Sequence, residues 1–527
     1  MVKHQRYGSI GGSKLGSLAS LAADAAPAPA EEDEQAAAPP PPEEDDHALK
    51  KLRTDEGSSS SAAVEEAGAG ESTVAQLLGR ARADSTELDL MGSELDAGDC
   101  STLATALLAP SCRLTALNID KAGIGTEGAH ALAAALGANN TLTSLSVQRN
   151  GLGWRGGKAL GEALANSCSL TSLDLSLNDI GPQGGEAFAS ALRTNARLAT
   201  LVMVRCGLGP DGGRALGAAL EENASLTRLD VTQNDLGTAG GIAFGAALAT
   251  NTTLTSLAFT FNRIGFGLER SVGAFAQSLR SNSSLEWLCL SQNELGALGG
   301  RILGEALAVN RGVRHLSLAR NELGDEGGAA VATAVAAHPA LTSLSVSNND
   351  LGAAGGAFAE AIRTSASLTS LDCSKNQLGP EEGAALGVAL RARPATCPPL
   401  RLDLSRNRVQ HGAVRIAEAL NGCGALFELD LSENGLDADV GSALGLALRH
   451  NTSLRVLRLA GNHLEDDAGL WEALAGHPTL QEADLSSNSI ASIPLACQLK
   501  LGQRSRDGSS SGGGGGLLRL ELSGNPL

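Results

Sequence analysis

Three segments of the sequence fit the pattern G-x-G-x-x-G, the glycine-rich loop that holds a dinucleotide phosphate when it joins a strand to a helix. They lie at Gly123–Gly128, Gly151–Gly156 and Gly207–Gly212. In related segments, however, the first glycine is replaced by acids such as Asp179 and Asp235. The glycines therefore belong to a repeated unit, and we expect no nucleotide or other cofactor.

A second pattern is a column of aspartates at one strand position. Its members are Asp174, Asp230, Asp372, Asp403, Asp430 and Asp484. Paired carboxylates can perform general acid–base catalysis. Because this column is expected to face water, we interpret it as solvated surface and predict no catalytic residues.

Histidines and cysteines could hold a metal, but their spacing argues against it. The nine histidines show no metal-ligand spacing, and the nine cysteines contain no C-x-x-C pair. A scattered, odd set of cysteines favours a reducing compartment without disulfides or a zinc site. We interpret Cys289 and Cys373 as small buried residues of strands.

Five N-x-S/T triplets could accept glycans in a secreted protein. They begin at Asn139, Asn223, Asn251, Asn282 and Asn451. All five occupy the same slot, after a predicted helix and before the next strand. We therefore predict that these asparagines end helices, with glycosylation as the alternative.

All these patterns recur because the chain is a repeat. A 28-residue unit, clearest at Leu170–Arg197, returns about sixteen times. In its first half Leu173 and Leu175 alternate with polar residues, which predicts a short β-strand with one buried face. In its second half the spacing of Phe188 and Leu192 predicts a helix with one apolar stripe.

One unit cannot bury its own apolar face, so the copies must stack. Strands side by side give a parallel sheet, and helices side by side give a wider outer layer. We therefore predict an α/β horseshoe with strands on the concave face and helices on the convex face. The asparagine after each strand, Asn178 in the clearest unit, can satisfy backbone groups of its own turn and of the neighbouring repeat. Cys206 replaces it once.

The pattern L-x-x-L-x-L-x-x-N-x-L-G resembles the leucine-rich repeats of the ribonuclease-inhibitor-like class. That class is shared by the C-terminal repeats of NOD-like receptors and by the Ran GTPase-activating proteins. The resemblance implies a solenoid that binds proteins. In the GTPase activators, the solenoid presents residues to a small GTPase that carries out the phosphoryl chemistry.

The sequence outside the repeats changes in character. Residues 1–70 are rich in Ala, Pro, Glu, Asp and Ser, so we predict a disordered acidic tail. Residues 71–84 have helical apolar spacing, and we predict a helix that caps the first repeat. The repeat domain then spans 85–527. We expect a Ser/Gly-rich insertion at 506–516 to replace the last helix and leave an uncapped end open to self-association.

The net charge of −18 comes with no basic stripe, so we expect neither nucleic acid nor an anionic membrane as a partner. No apolar run approaches the ~18 residues that span a bilayer. A basic protein partner and a cytoplasmic location are compatible with this composition. Two alternatives stay open: Met1–Ala23, which lacks acids, fits a transit peptide, and Lys50–Arg53 fits a short nuclear address.

Most outward-facing slots of the predicted concave face hold Ser, Thr or Asp, so larger residues stand out. Aromatic and arginine clusters are typical of binding hot spots. The candidate protein-binding residues are Val202, Val204, Arg205, Arg228, Phe261, Trp287, His315 and Arg320. The alternative is that the two aromatic side chains pack against neighbouring strands.

We therefore predict a non-catalytic intracellular scaffold whose concave face binds a protein partner. The alternative function is activation of a Ran-like small GTPase, which the resemblance implies. No GTPase-contacting residue can be assigned from a motif.

Overall fold

The computed structural model describes residues 86–265, 268–422, 424–500 and 517–527. These residues all belong to one compact unit. The predicted acidic tail, capping helix and Ser/Gly-rich insertion lie outside the described residues, so they stay predictions.

Sixteen short strands of the described residues form one parallel sheet, in which neighbours follow chain order from β1 to β16. The strands are β1 (Glu87–Asp89), β2 (Ala116–Asn118), β3 (Ser144–Ser146), β4 (Ser172–Asp174), β5 (Thr200–Val202), β6 (Arg228–Asp230), β7 (Ser256–Ala258), β8 (Trp287–Cys289), β9 (His315–Ser317), β10 (Ser343–Ser345), β11 (Ser370–Asp372), β12 (Leu400–Asp403), β13 (Leu426–Asp430), β14 (Val456–Arg458), β15 (Glu482–Asp484) and β16 (Arg519–Glu521). The predicted repeat number and parallel arrangement are confirmed.

An α-helix follows each strand from β1 to β14. The helices are α1 (Ala97–Leu108), α2 (Gly125–Leu136), α3 (Gly153–Leu164), α4 (Gly181–Thr194), α5 (Gly209–Leu220), α6 (Gly237–Thr250), α7 (Leu268–Leu279), α8 (Gly296–Leu307), α9 (Gly324–Ala337), α10 (Gly355–Thr364), α11 (Pro380–Ala392), α12 (Ala413–Leu420), α13 (Ala438–Leu448) and α14 (Ala468–Gly476). Strands and helices therefore alternate along the chain, as the repeat predicts.

The stretch between β15 and β16 differs from the expectation. Residues 495–500 are helical, so the Ser/Gly-rich insertion does not replace the last helix completely. Pro494 directly precedes this helix, and its fixed φ suits the start of a helix. In the β16 repeat, Leu520 and Leu522 are only half-buried, whereas the matching Leu173 and Leu175 of the β4 repeat are buried. The predicted self-association through this end stays a prediction.

The strands owe their two faces to alternation. In β4, Leu173 is buried against the helices, while Ser172 and Asp174 lie on the opposite surface of the sheet. The register places Leu173 beside Leu145 of β3 and Leu201 of β5. Leucines therefore stack on leucines along the solenoid. We call the sheet surface opposite the helices the open face.

Glycines let the helices lie close together. A Cβ on Gly161 would lie 2.9 Å from the backbone of Ala187 in the next helix, and one on Gly185 would lie 3.1 Å from the Cα of Gly212. Gly181, before the body of α4, has a φ of +66°, a conformation that glycine adopts without strain. Gly181 thus permits the turn into the helix, and Gly185 permits the close approach of neighbouring helices.

A buried asparagine ladder joins the repeats at the end of each strand. The Asn293 side chain donates from Nδ2 to the carbonyl oxygens of Phe259 (2.8 Å) and Leu290 (3.0 Å). Its Oδ1 accepts from the backbone N–H of Asn262 at 2.9 Å, and its own N–H donates to Asn321 Oδ1 at 2.8 Å. Each side-chain amide thus satisfies backbone groups of its own turn and of the preceding repeat, which confirms the predicted link between neighbouring repeats.

We expect Asn293→Ala to lower the free energy of unfolding by roughly 2–4 kcal/mol, because at least two buried backbone groups lose their partner. The matched control is Gln292→Ala, at a half-exposed position one residue earlier in the same turn. Urea unfolding followed by circular dichroism compares the two variants. Equal midpoints would contradict the structural role of the ladder.

Candidate protein-interaction face

Strand pairing brings three of the predicted binding residues into one row. The register aligns Arg228 with Ser256, Ser256 with Trp287, and Trp287 with His315. Each takes the first position of its strand, so these side chains start from the same face of the sheet. We call Arg228, Trp287 and His315 the strand-start row.

A second row lies at the turns that follow β5, β7 and β9. It consists of Arg205, Phe261 and Arg320, and we call it the rim row. Their backbone N–H groups donate to carbonyl oxygens of the next repeat at 2.8 to 3.0 Å. All three residues have φ between +53° and +55°, and Gln233 and Gln292 occupy the same position in the two repeats between them. The rim row therefore has one large residue on every second repeat.

The open face between the two rows carries small side chains. Val202 and Val204 lie there in the β5 repeat and are half-buried. Val202 is followed at the same strand position by the buried Asp230 in β6, and then by Ala258 in β7 and Cys289 in β8. The two rows are five residues apart along the chain and are separated by the rest of the strand and the start of the turn. This surface is a trough across strands β5 to β9, which we call the central trough.

The two aromatic residues, Trp287 and Phe261, differ in how far they are buried. Ser256 and Ala258 are only 8% and 4% exposed although they lie on the open face. Arg228 and Trp287 flank Ser256 in the register, and Trp287 is itself half-buried. Phe261, by contrast, is 44% exposed. Trp287 is therefore the less exposed of the two aromatic residues.

The sheet beneath the trough rests on an aromatic cluster. Phe259, the inward-facing residue after β7, makes edge-to-face contacts with Phe244 (centroids 4.8 Å apart) and Phe275 (5.4 Å). Such contacts stabilise a core beyond simple burial of area. The cluster holds the centre of the trough in a fixed position.

The two cysteines expected to be buried differ. Cys373 is fully buried, and burial raises the pKa of its thiol well above the usual range. Cys289 lies instead half-buried on the trough floor, with its Sγ 3.0 Å from Thr260 Oγ1, so its prediction as a buried residue is wrong. Cys206, in the asparagine column, is buried, and desolvation raises the pKa of its thiol to about 12.

The aspartate column was expected to face water. The structure instead places three of its acids side by side in partly buried positions. Asp372, Asp403 and Asp430 are neighbours in the register of β11 to β13. Burial, together with the charges of Asp372 and Asp430, raises the pKa of Asp403 to about 7. Burial also raises the pKa of Asp430. Near neutral pH Asp403 is therefore protonated in part of the molecules.

Other charges on this C-terminal part of the open face are paired within the chain. Glu428 forms ion pairs with Arg401 (3.1 Å) and with Arg458, and Arg458 also reaches Glu482 at 3.4 Å. A partner that bound here would have to displace these pairs. This network favours the central trough over β12 to β15 as a docking surface.

We expect Asp403→Asn to be more stable than the wild type, by a difference in unfolding free energy that grows as the pH rises. The folded chain holds the Asp403 proton more tightly than the unfolded chain, where an aspartate has a pKa of about 3.9. Wild-type stability should therefore fall as pH rises from about 4 to about 7, and the Asn variant escapes this loss. The difference in unfolding free energy should grow by on the order of 1–2 kcal/mol from pH 5.5 to 8.

Urea unfolding at several pH values measures this difference. Asp174→Asn is the control, because the register neighbours of Asp174 are the uncharged Ser146 and Val202. Parallel pH curves for wild type and Asp403→Asn would refute the expectation.

The asparagines of the N-x-S/T triplets are buried at the helix ends. Asn251 Nδ2 donates to the carbonyl oxygens of Leu220 (2.8 Å) and Asn223 (3.0 Å), and its Oδ1 accepts from the N–H of Leu254 (2.8 Å). A side-chain amide used in this way is closed to a glycosyltransferase in the folded protein. The helix-end prediction is confirmed.

Sequence reasoning missed the other members of this helix-end column. His338 takes the slot 28 residues after Asn310, and its Nδ1 accepts from the N–H of Leu341 at 3.0 Å. Burial lowers the pKa of this histidine, which favours the neutral ring. Arg393 follows Ser365 by the same 28 residues, and its guanidinium donates to backbone carbonyl oxygens. The 28-residue spacing was the signal that could have found them.

The glycines of the G-x-G-x-x-G segments serve the turns. Gly151 and Gly153 have φ of +63° and +58°, and a Cβ on Gly156 would lie 2.9 Å from the Ala129 Cβ. The described residues contain no group of three or more His, Cys, Asp or Glu side chains that could hold a metal ion. In the same part of the chain, no helix has the length and apolar character needed to cross a membrane.

A comparison with protein families bears on this geometry. The family model described as leucine-rich repeat matches eight segments, at residues 111–133, 138–161, 166–189, 222–245, 250–265, 309–332, 337–358 and 450–470. Each segment contains one strand of the sheet. These segments are leucine-rich repeats.

The other eight strands continue the same sheet, so the leucine-rich repeat solenoid extends beyond the matched segments. The β5 repeat, where Cys206 replaces the asparagine, is one of those that the model does not match. No curated protein gives a match to this chain. Leucine-rich repeat solenoids typically present extended binding surfaces to other proteins rather than catalytic sites.

Proposed function

We propose that this protein is a non-catalytic scaffold that holds a protein partner in the central trough. The observation that supports this most directly is the register that gathers Arg228, Trp287 and His315 in one row, opposite Phe261 in the rim row. Arginine and aromatic side chains around a floor of small residues are typical of interaction hot spots. The fixed aromatic core beneath reduces the ordering cost of binding.

The charges around the central trough indicate which charge the partner segment should carry. On strands β5 to β9 and the rim positions behind them, Arg205, Arg228 and Arg320 face a single acid, the buried Asp230. The C-terminal strands carry the acidic row instead. The net charge of the chain suggested a basic partner, whereas the local charge of the trough favours a partner segment that carries acids.

We also propose a reducing, intracellular setting. The described residues include eight free cysteines, four of them buried. A buried thiol with a raised pKa is inert and has no need of a disulfide partner. This use of cysteine fits the cytoplasm, with the nucleus and an organelle as alternatives that the N-terminal segment suggests.

Activation of a Ran-like small GTPase stays an alternative that rests on the resemblance. It predicts faster GTP hydrolysis by the GTPase when this protein is added. Stable capture of a partner without any turnover favours the scaffold.

We expect the variant Val202→Asp, Phe261→Asp, Trp287→Asp to lose its protein partner, because charged residues would replace the apolar contacts of the trough. Affinity capture from lysate followed by mass spectrometry identifies the partner, and titration of the purified partner measures its affinity. The expected loss is at least tenfold, or about 1.4 kcal/mol.

The matched control is Val388→Asp, Leu446→Asp, which adds charge at two exposed positions of the helical layer. Circular dichroism first establishes that both variants are folded. Identical partner lists for the trough variant and the wild type would refute this site.

A further inference from the structure

Phe261 differs from its counterparts in side-chain type and not in backbone conformation. The same turn position holds Gly92 in one repeat and Arg149 or Leu177 in others, all with a positive φ. The φ of +55° at Phe261 therefore belongs to the repeat. Its large apolar side chain is 44% exposed, and exposed aromatic residues beside arginines are typical of interaction hot spots.

The two arginines of the rim row flank Phe261 without acidic partners. Among the described residues, no carboxylate lies within ion-pair distance of Arg205 or Arg320. Other arginines of the same turns are paired: Arg263 with Asp235 at 3.4 Å and Arg406 with Glu433 at 3.0 Å. The rim row therefore presents two guanidinium groups that are ready to bind carboxylates.

The spacing of the rim row matches one peptide conformation. Neighbouring strands lie about 4.8 Å apart, so Arg205, Phe261 and Arg320 follow one another at about 9.6 Å. A polyproline II helix rises about 3.1 Å per residue and repeats every three residues, or about 9.3 Å. Side chains at positions i, i+3 and i+6 of such a helix would therefore meet the three rim residues in turn.

We propose that the rim row binds a polyproline II segment of a partner protein with the pattern acid-x-x-Pro-x-x-acid. This inference rests on the proposed function and names the class of partner. The two carboxylates pair with Arg205 and Arg320, and the central proline packs on the Phe261 ring. The side-chain amides of Gln233 and Gln292 lie between these contacts. They can donate to the peptide carbonyls, which have no internal hydrogen bonds in this conformation.

The test uses the full chain and a fluorescein-labelled peptide with the core Glu-Pro-Ala-Pro-Pro-Ala-Glu, followed by fluorescence anisotropy. We expect it to bind at least tenfold more tightly than three control peptides. The first has lysines in place of both glutamates, the second is one residue shorter between proline and the last glutamate, and the third has glycine in place of every residue except the glutamates and the central proline. These controls test charge, spacing and the extended conformation separately.

Variants of the chain test the residue assignments. Phe261→Ala should weaken binding at least fivefold, and Arg205→Glu, Arg320→Glu should abolish it. The same double variant should gain affinity for the lysine peptide, a rescue that a merely unfolded protein cannot show. Arg149→Glu, at the same turn position behind β3, is the matched control and should bind like the wild type.

Equal affinities for all four peptides, or a Phe261→Ala variant that binds normally, would overturn this inference. If the peptide fails to bind while the trough variant still loses its lysate partner, the scaffold function is supported and the binding of a polyproline II segment is refuted. If the peptide binds through the rim row while the trough variant still binds the lysate partner, the rim site is supported and the proposed function of the central trough is refuted.

Discussion

The buried asparagine ladder is the interaction on which the rest of this solenoid depends. Each strand ends inside the protein, where the turn toward the helix leaves backbone N–H and C=O groups without water. One side-chain amide, such as Asn293, supplies both a donor and an acceptor to these groups. Because it also bonds the preceding repeat, the same amide fixes the distance and register between repeats. The helix-end column, with Asn251 as an example, does the same at the other edge.

Fixed register turns a repeated sequence into rows of side chains. Residues nearly thirty positions apart in the chain become neighbours on adjacent strands. Arg228 and Trp287 therefore flank Ser256 through strand pairing, and their positions do not depend on a flexible loop. A surface made this way is rigid before a partner arrives, which lowers the cost of ordering on binding. In this chain, the larger side chains stand on either side of a floor of small ones.

The same regularity places like charges side by side. Asp372, Asp403 and Asp430 cannot separate, because the ladder holds their strands in place. The protein accommodates them through a raised pKa at Asp403 and through hydrogen bonds from the next turn, such as the N–H of Ser405 at 2.8 Å. Around Glu428, alternating acids and arginines solve the same problem by pairing. The two halves of the open face therefore differ in how much charge they can offer a partner.

The sequence by itself determined the architecture, because the positions of Leu173 and Asn178 recur with a fixed period and only a stacked parallel sheet buries them all. It also determined that the N-x-S/T asparagines end helices. Tertiary structure alone decided which large side chains share a row, how deeply each lies, and which acids influence one another. Trp287 and Phe261 look alike in sequence, but Trp287 is half-buried and Phe261 is exposed, because burial depends on the packing of neighbouring repeats. Arg393 likewise looks like a surface residue until the stack surrounds it with carbonyl oxygens.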